Sequence, residues 1–411
     1  VPGLQRRSAR APGSKSVANR VVLLAAMAPG ASRIDNLPRS EDTDAMLGAL
    51  RTLGVPITFE AGVCVVQGGA RPAARGPLDV GASGTTLRFL LPWLATAHVG
   101  PVVFTGAPRL FERPLAGLVD ALAPYGVTWS DRTLTPGRGV GALDVTVDAS
   151  ASSQFVTGLA LAAAALPGGG RLRFGDVPSQ SYLTLTARWL AAFGVEVADD
   201  APGPDGVAGW RVPGGLLRAG DVTVPGDWSG AAAILAAGAL SPHGVSVGPL
   251  ARDEQGDRAI LDILAAAGAH VTWEGDRVSV TGPLTRGLDA DLTLCPDLGP
   301  VLAAVAACAP GPSELRGLRT LRLKECDRLD ASAELVRWAG GTAVIVGDEA
   351  LQICPGVPIG ERPPYSPRAD HRMAFAAAVV GLVHGGEVTD PGCVAKTFPE
   401  FWDVWERVAR G

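Results

Sequence analysis

Lysine is nearly missing from this chain. Of 36 Lys and Arg residues among 411, only Lys15, Lys324 and Lys396 are lysines. Where arginine does almost all the cationic work, a retained lysine marks a place that needs a compact, titratable ammonium rather than a planar fork. Other shortages exclude whole classes of protein. Aromatic residues are 5% of the chain, the net charge is −5 and no run of basic residues occurs, so a nucleic-acid backbone or an anionic membrane is not an expected partner. No apolar run approaches the ~20 residues that span a bilayer. The six cysteines form no CxxC pair, and there is no HExxH, EF-hand loop or Cys/His cluster, so no metal is implied. Thiols used this way fit a cytoplasmic protein. The arginines around Lys15, followed by VVLLAAMA, imitate a secretory signal. A pattern that recurs five more times argues instead for a buried helix from Ser16 to Ala28, stopped by Pro29-Gly30.

What the chain has is apolar content, 47%, and a period. Helices rich in small apolar residues are expected to open at Ser16, Ser83, Ser152, Asp227, Asp297 and Asp370. A second kind of helix ends at Gly54, Gly126, Gly194, Gly268, Gly340 and Gly411. Successive starts lie 67–75 residues apart and successive stops 68–74, so two independent markers give one unit of about 70 residues, repeated six times. A helix such as SSQFVTGLALAAAAL is apolar nearly all round and belongs inside, whereas LDVTVDAS alternates and shows one face to water. The expected fold is α/β with helices buried and sheets outside, as two domains of three units, the break falling near Val224-Pro225-Gly226.

The six helix starts are chemically alike. Three carry hydroxyls beside free amides, which suits a phosphate or carboxylate, and three present an aspartate able to cap or to act as a base. Arg20, Arg88, Arg113, Arg328 and Arg372 stand next to them, beside helices too apolar to have a wet side. Buried cations need anions. With few acidic residues nearby in sequence, the expected anions are ligands carrying more than one negative group. A Walker loop is excluded because Ser14 separates Gly13 from Lys15, and no GxGxxG follows a strand.

In order along the chain, PGSKSVANR, ASGTTLRF, TGAPRLFERP, SSQF, PSQSY, LKECDRL, ADHRMA and CVAKTFPEF resemble the 5-enolpyruvylshikimate-3-phosphate (EPSP) synthase family. That resemblance implies two inside-out α/β domains, each of three βαβαββ repeats, with the active site in the cleft between them. It places 14–225 in the first domain, on the shikimate 3-phosphate side, and 1–13 with 226–411 in the second, on the acid/base and carboxylate-clamp side. It implies a cofactor-free monomer that moves the enolpyruvyl group of phosphoenolpyruvate to the 5-hydroxyl of shikimate 3-phosphate.

By the same resemblance, Ser152, Ser153, Ser179 and Lys324 would hold the shikimate phosphate. Ser16, Arg20 and Asp297 would meet the ring hydroxyls and carboxylate, with Lys15, Gln154 and Tyr182 lining that pocket. Lys15, the Gly84 amide, Arg113, Gln154 and Lys396 would meet the phosphate of phosphoenolpyruvate, and Arg328 and Arg372 its carboxylate. Asp297 would be the base, with Glu325 and Lys15 exchanging protons at the methylene and the bridging oxygen, and His371 would orient Arg372 or contact the intermediate. Ala82 and Phe89 depart from residues common in the family and flank Gly84, where glyphosate competes with phosphoenolpyruvate. Two rival readings stay open: UDP-N-acetylglucosamine enolpyruvyltransferase, and a non-catalytic phosphometabolite-binding protein.

Overall fold

The Ala- and Gly-rich runs fold into helices with no wet side. In a computed structural model that describes residues 7–97, 100–175, 177–202, 207–357 and 360–410, the Trp228–Ala239 helix buries every residue except Ser229. Gln154–Ala165 buries all but its two end residues, and Gly84–Ala97 all but its last. A helix apolar on every face gains by packing in all directions, and burying each large side chain is worth about 1.5–3 kcal/mol.

The chain divides into two units, one running from Lys15 to Val224 and the other taking the chain up to Ser14 and from Pro225 onward. In the first, the helices Lys15–Met27, Gly84–Ala97 and Gln154–Ala165 pack on one another within a single apolar core. In the second, Trp228–Ala239, Gly299–Cys308 and His371–His384 do the same.

Four-stranded sheets cover these cores. Leu143–Val147, Gly170–Phe174, Ala198–Asp200 and Gly209–Val212 make one sheet, its first two strands parallel and the later pairs antiparallel, with helices after the first and second strands. Along Leu143–Val147, Leu143, Val145 and Val147 are buried while Asp144 and Thr146 are exposed, so the sheet turns one face inward. The glycine stops Gly54, Gly126, Gly194, Gly268 and Gly340 all have positive φ, between 80° and 109°, the conformation that ends a helix and that other residues adopt at a cost. Gly411 lies outside the described residues.

Two sheets are completed by a strand from far along the sequence. Arg7–Arg10 pairs in parallel with Val245–Gly248, and Asp221–Thr223 with Gly30–Asp35. After each of these strands the chain passes from one unit to the other, at Ser14 and at Val224. The residues at the two passages pair with each other: Gly13 bridges Gly226, Ser14 N donates to Pro225 O at 2.8 Å, and Asp227 N donates to Pro12 O at 2.8 Å.

The sixth unit departs from the expected βαβαββ pattern. Among the described residues there are five four-stranded sheets, and the sixth unit contributes only the isolated bridge Tyr365–Val388 around its helix. The stretch that would enter it holds Pro355, Pro363, Pro364 and Pro367, which lack the amide a ladder needs. The chain ends instead in the amphipathic helix Phe401–Arg410, burying Phe401, Val404, Trp405 and Val408. No helix among the described residues is long and apolar enough to cross a membrane. The six cysteines are free.

Close helix packing sets a direct test. A Cβ on Gly158 would stand 2.3 Å from the Arg88 carbonyl oxygen, whereas one on exposed Gly48, inside the Glu41–Thr52 helix, meets nothing within 4 Å. Gly158→Ala is expected to lose about 1–3 kcal/mol in urea unfolding. Gly48→Ala is expected to gain about 0.5–1 kcal/mol. Equal effects would contradict the packing described.

Candidate active site

Asp297 lies in the short turn Pro296–Leu298 that leads into the Gly299–Cys308 helix, but its carboxylate does not cap that helix. It gathers cations instead. Oδ1 accepts from Arg328 Nη1 at 2.9 Å and lies 3.2 Å from Lys324 Nζ, and Oδ2 accepts from Arg372 Nη2 at 3.3 Å. Arg372 Nη1 also donates to the Asp297 backbone carbonyl at 3.2 Å.

Arg328 is 2% exposed, and its whole fork is engaged. Nε donates to Asp370 Oδ2 at 2.7 Å, and Nη2 donates to Glu325 Oε2 at 2.7 Å and to Asp370 Oδ1 at 3.1 Å. Lys396 Nζ stands 3.9 Å from Glu325 Oε1. Asp370 does cap its helix, accepting from Arg372 N at 2.9 Å, and so fixes where Arg372 begins.

Electrostatics follow from this crowding. Burial pushes the Asp297 carboxyl up, but Arg372, Lys324 and Arg328 outweigh it against a smaller opposing push from Glu325, and the group is held well below the usual carboxylate range. Burial pulls Arg328 down, yet Asp370, Glu325 and Asp297 hold its guanidinium firmly protonated.

The Lys15–Val224 unit carries a second set. Lys15 opens the Lys15–Met27 helix and pairs with Asp42 at 3.0 Å. One turn on, Arg20 donates to Ser16 O at 2.6 Å, Thr186 Oγ1 at 2.9 Å and Tyr182 O at 3.2 Å, with its guanidinium over the Phe89 and Tyr182 rings at 5.3 and 5.9 Å. Burial pulls it down to about 10, against the opposing effect of Tyr182, so it remains charged at neutral pH. Gln154 accepts from Arg88 at 2.7 Å and donates to Thr85 at 3.0 Å.

Ser152 Oγ accepts from Gln154 N at 3.2 Å, and buried Ser153 stands at the start of the same helix. Ser179 is buried in the left-handed region at φ 57°. A Cβ on Gly84 would meet Arg113 Nη1 at 2.9 Å, so glycine is what lets the Arg113 guanidinium come this close to the start of the Gly84–Ala97 helix. His371 is buried edge-on to Phe375, with Nδ1 3.7 Å from Asp370 Oδ1.

One expectation is corrected. Arg328 and Arg372 are not short of protein anions, because chain folding brings Asp370 and Asp257 to them, as it brings Asp42 to Lys15. Ion pairs across many residues leave no mark in a local pattern. Asp42 reads as part of an ordinary acidic helix start, SEDTD, and Asp257 as part of the loop ARDEQGDR.

With this geometry in place, comparison with known proteins is direct. Residues 5–405 match the family model for EPSP synthase (3-phosphoshikimate 1-carboxyvinyltransferase). This chain belongs to the EPSP synthase family. The 3-phosphoshikimate 1-carboxyvinyltransferase of Mycobacterium ulcerans is 38% identical over 416 residues, covering 97% of this chain and 94% of its own. That of Pseudoalteromonas translucida is 36% identical over 414 residues, covering 97% and 96%. The solved EPSP synthase from Acinetobacter baumannii has a TM-score of 0.77 at 26% identity, covering 99% of this chain and 97% of that one.

In this family member the Arg328 cage has a measurable consequence. Arg328→Met would leave Asp370, Asp297 and Glu325 crowded without their shared cation, and is expected to cost about 3–5 kcal/mol of stability by urea unfolding. A loss under about 1 kcal/mol would show that the cage contributes little.

Proposed function

We propose that this chain is a 3-phosphoshikimate 1-carboxyvinyltransferase, moving the enolpyruvyl group of phosphoenolpyruvate to the 5-hydroxyl of shikimate 3-phosphate. The observation that carries the reading is the convergence of Arg328, Arg372 and Lys324 on the single carboxylate of Asp297, beside Glu325 and Lys396. Transfer between two polyanions needs such a place, with cations for the substrate charges and a carboxylate for the proton. Full-length relatives that carry this activity by name support the same reading.

The reaction is addition followed by elimination. The 5-oxygen bonds to the phosphoenolpyruvate carbon that bears the phosphate, its proton passing to Asp297, while the methylene carbon gains a proton and becomes a methyl group. The bond to the phosphate oxygen then breaks, the methyl carbon gives a proton back, and phosphate leaves. In this reading Glu325 and Lys15 exchange protons at the methylene and the bridging oxygen.

Arg328 and Arg372 hold the phosphoenolpyruvate carboxylate, for which bidentate forks are suited. Lys15, the Gly84 amide, Arg113, Gln154 and Lys396 hold its phosphate. Ser16, Arg20, Ser152, Ser153, Gln154, Ser179, Tyr182 and Lys324 hold shikimate 3-phosphate. Because these residues belong to both units, the reading requires the units to serve one site in a cleft between them, in a single chain. Asp297 is a weak base while three cations sit on it. Substrate carboxylate and phosphate draw those cations off, and the basicity of Asp297 rises as they do.

The test is phosphate release from phosphoenolpyruvate and shikimate 3-phosphate, with the UDP sugar offered separately. Release is expected only with shikimate 3-phosphate, and well-folded protein that releases none overturns the reading. Lys15→Ala is expected to lower turnover about 10²–10³-fold in protein that still folds, with a lowered melting temperature because buried Asp42 loses this ion pair. Near-normal turnover would remove Lys15 from the chemistry.

A further inference from the structure

We propose that Asp257 is a positioning residue for Arg372, the anchor that keeps its guanidinium aimed while Asp297 gains and loses a proton. The proposal rests on the transferase reading above and deepens it. Asp257 lies in the turn Gly256–Ala259 and is 2% exposed. Its Oδ2 accepts from Ser229 Oγ, the one residue of the Trp228–Ala239 helix that is not buried, and lies 3.6 Å from Arg372 Nη1. Its Oδ1 is buried with no hydrogen-bond partner. A carboxylate so enclosed, with one hydroxyl for a partner, is costly unless a cation stands beside it. Arg372 is that cation.

Arg372 is therefore bracketed. Asp297 takes Nη2 through its carboxylate and Nη1 through its backbone carbonyl, and Asp257 faces Nη1 from another part of the chain. The two carboxylates differ in what the reaction asks of them. Asp297 receives a proton from the 5-hydroxyl and for that interval loses its charge. Asp257 touches no reacting group. Burial pushes its carboxyl up against the pull of Arg372, and the Asp297 charge pushes it up further, so its hold on Arg372 strengthens in the interval when Asp297 is protonated and Arg372 stays directed at the substrate carboxylate.

The segment carrying Asp257 is itself fixed. Buried Gln255 accepts from Ser14 Oγ at 2.8 Å and donates to Gly226 O at 2.9 Å and to Asp253 Oδ2 at 2.7 Å. Asp257 is thus built on a turn tied to both places where the chain passes between units, the kind of support an aimed side chain needs.

The experiment is a double-mutant cycle on steady-state kinetics, using Asp257→Asn, Arg372→Gln and the pair, with melting temperatures alongside. Asp257→Asn is expected to raise the KM for phosphoenolpyruvate about tenfold, leaving the KM for shikimate 3-phosphate and kcat within about twofold. In the Arg372→Gln background the same change is expected to have no effect on KM, and Asp257→Glu is expected to recover part of the loss. The same fold-change in both backgrounds, or a fall in kcat with an unchanged KM for phosphoenolpyruvate, overturns the proposal.

If Asp257→Asn does not fold, Ser229→Ala carries the test. Freeing the carboxylate is expected to raise the KM for phosphoenolpyruvate about threefold, in the Arg372 background only, and an unchanged KM overturns the proposal. Inactive wild-type protein would sink the transferase reading itself. Active wild type indifferent to Asp257 would sink only this proposal.

Discussion

A helix with no wet face has only its ends left for chemistry, and that constraint governs this molecule. Trp228–Ala239, Gln154–Ala165 and their counterparts are buried along their length, so polar side chains collect where the helices begin. Sheets with one inward face close over them. Gly158 against the Arg88 carbonyl shows how near the helices come.

At the helix starts the protein meets its own charge before it meets any substrate. Arg328 is surrounded by Asp370, Glu325 and Asp297, Lys15 is paired with Asp42, and Arg372 is held between Asp297 and Asp257. Such pairs are expensive to bury, and each makes the next necessary. The cost is repaid in order: the Arg328 and Arg372 forks are already extended and oriented, which is what the proposed exchange of protein carboxylates for substrate anions requires.

Much of this was legible in the residues, for a physical reason. Periods of apolar residues and left-handed glycines are local, so the helix starts and stops near Ser83, Asp370, Gly54 and Gly340 could be read directly. Motif residues such as Lys15, Asp297 and Arg328 stood out because lysine is scarce and helices so apolar leave arginine little reason to be beside them. The sixth unit misled because its period continued while its prolines forbade the ladder. Asp42 and Asp257 were illegible because only folding makes them neighbours of Lys15 and Arg372. Phe89, met first as a departure from family usage, proves to lie under the Arg20 guanidinium at 5.3 Å.

The central claim is that Asp297 is held ionised by Arg372, Lys324 and Arg328, the cations that the proposed function has it hand to the substrates. Its carboxyl resonance, followed by NMR in protein labelled at aspartate, measures this directly. Free protein is expected to show no protonation of Asp297 across the ordinary carboxylate range near pH ~3.9, and bound substrate analogues are expected to move its titration upward. An ordinary titration in the free protein, unmoved by ligands, would contradict the account.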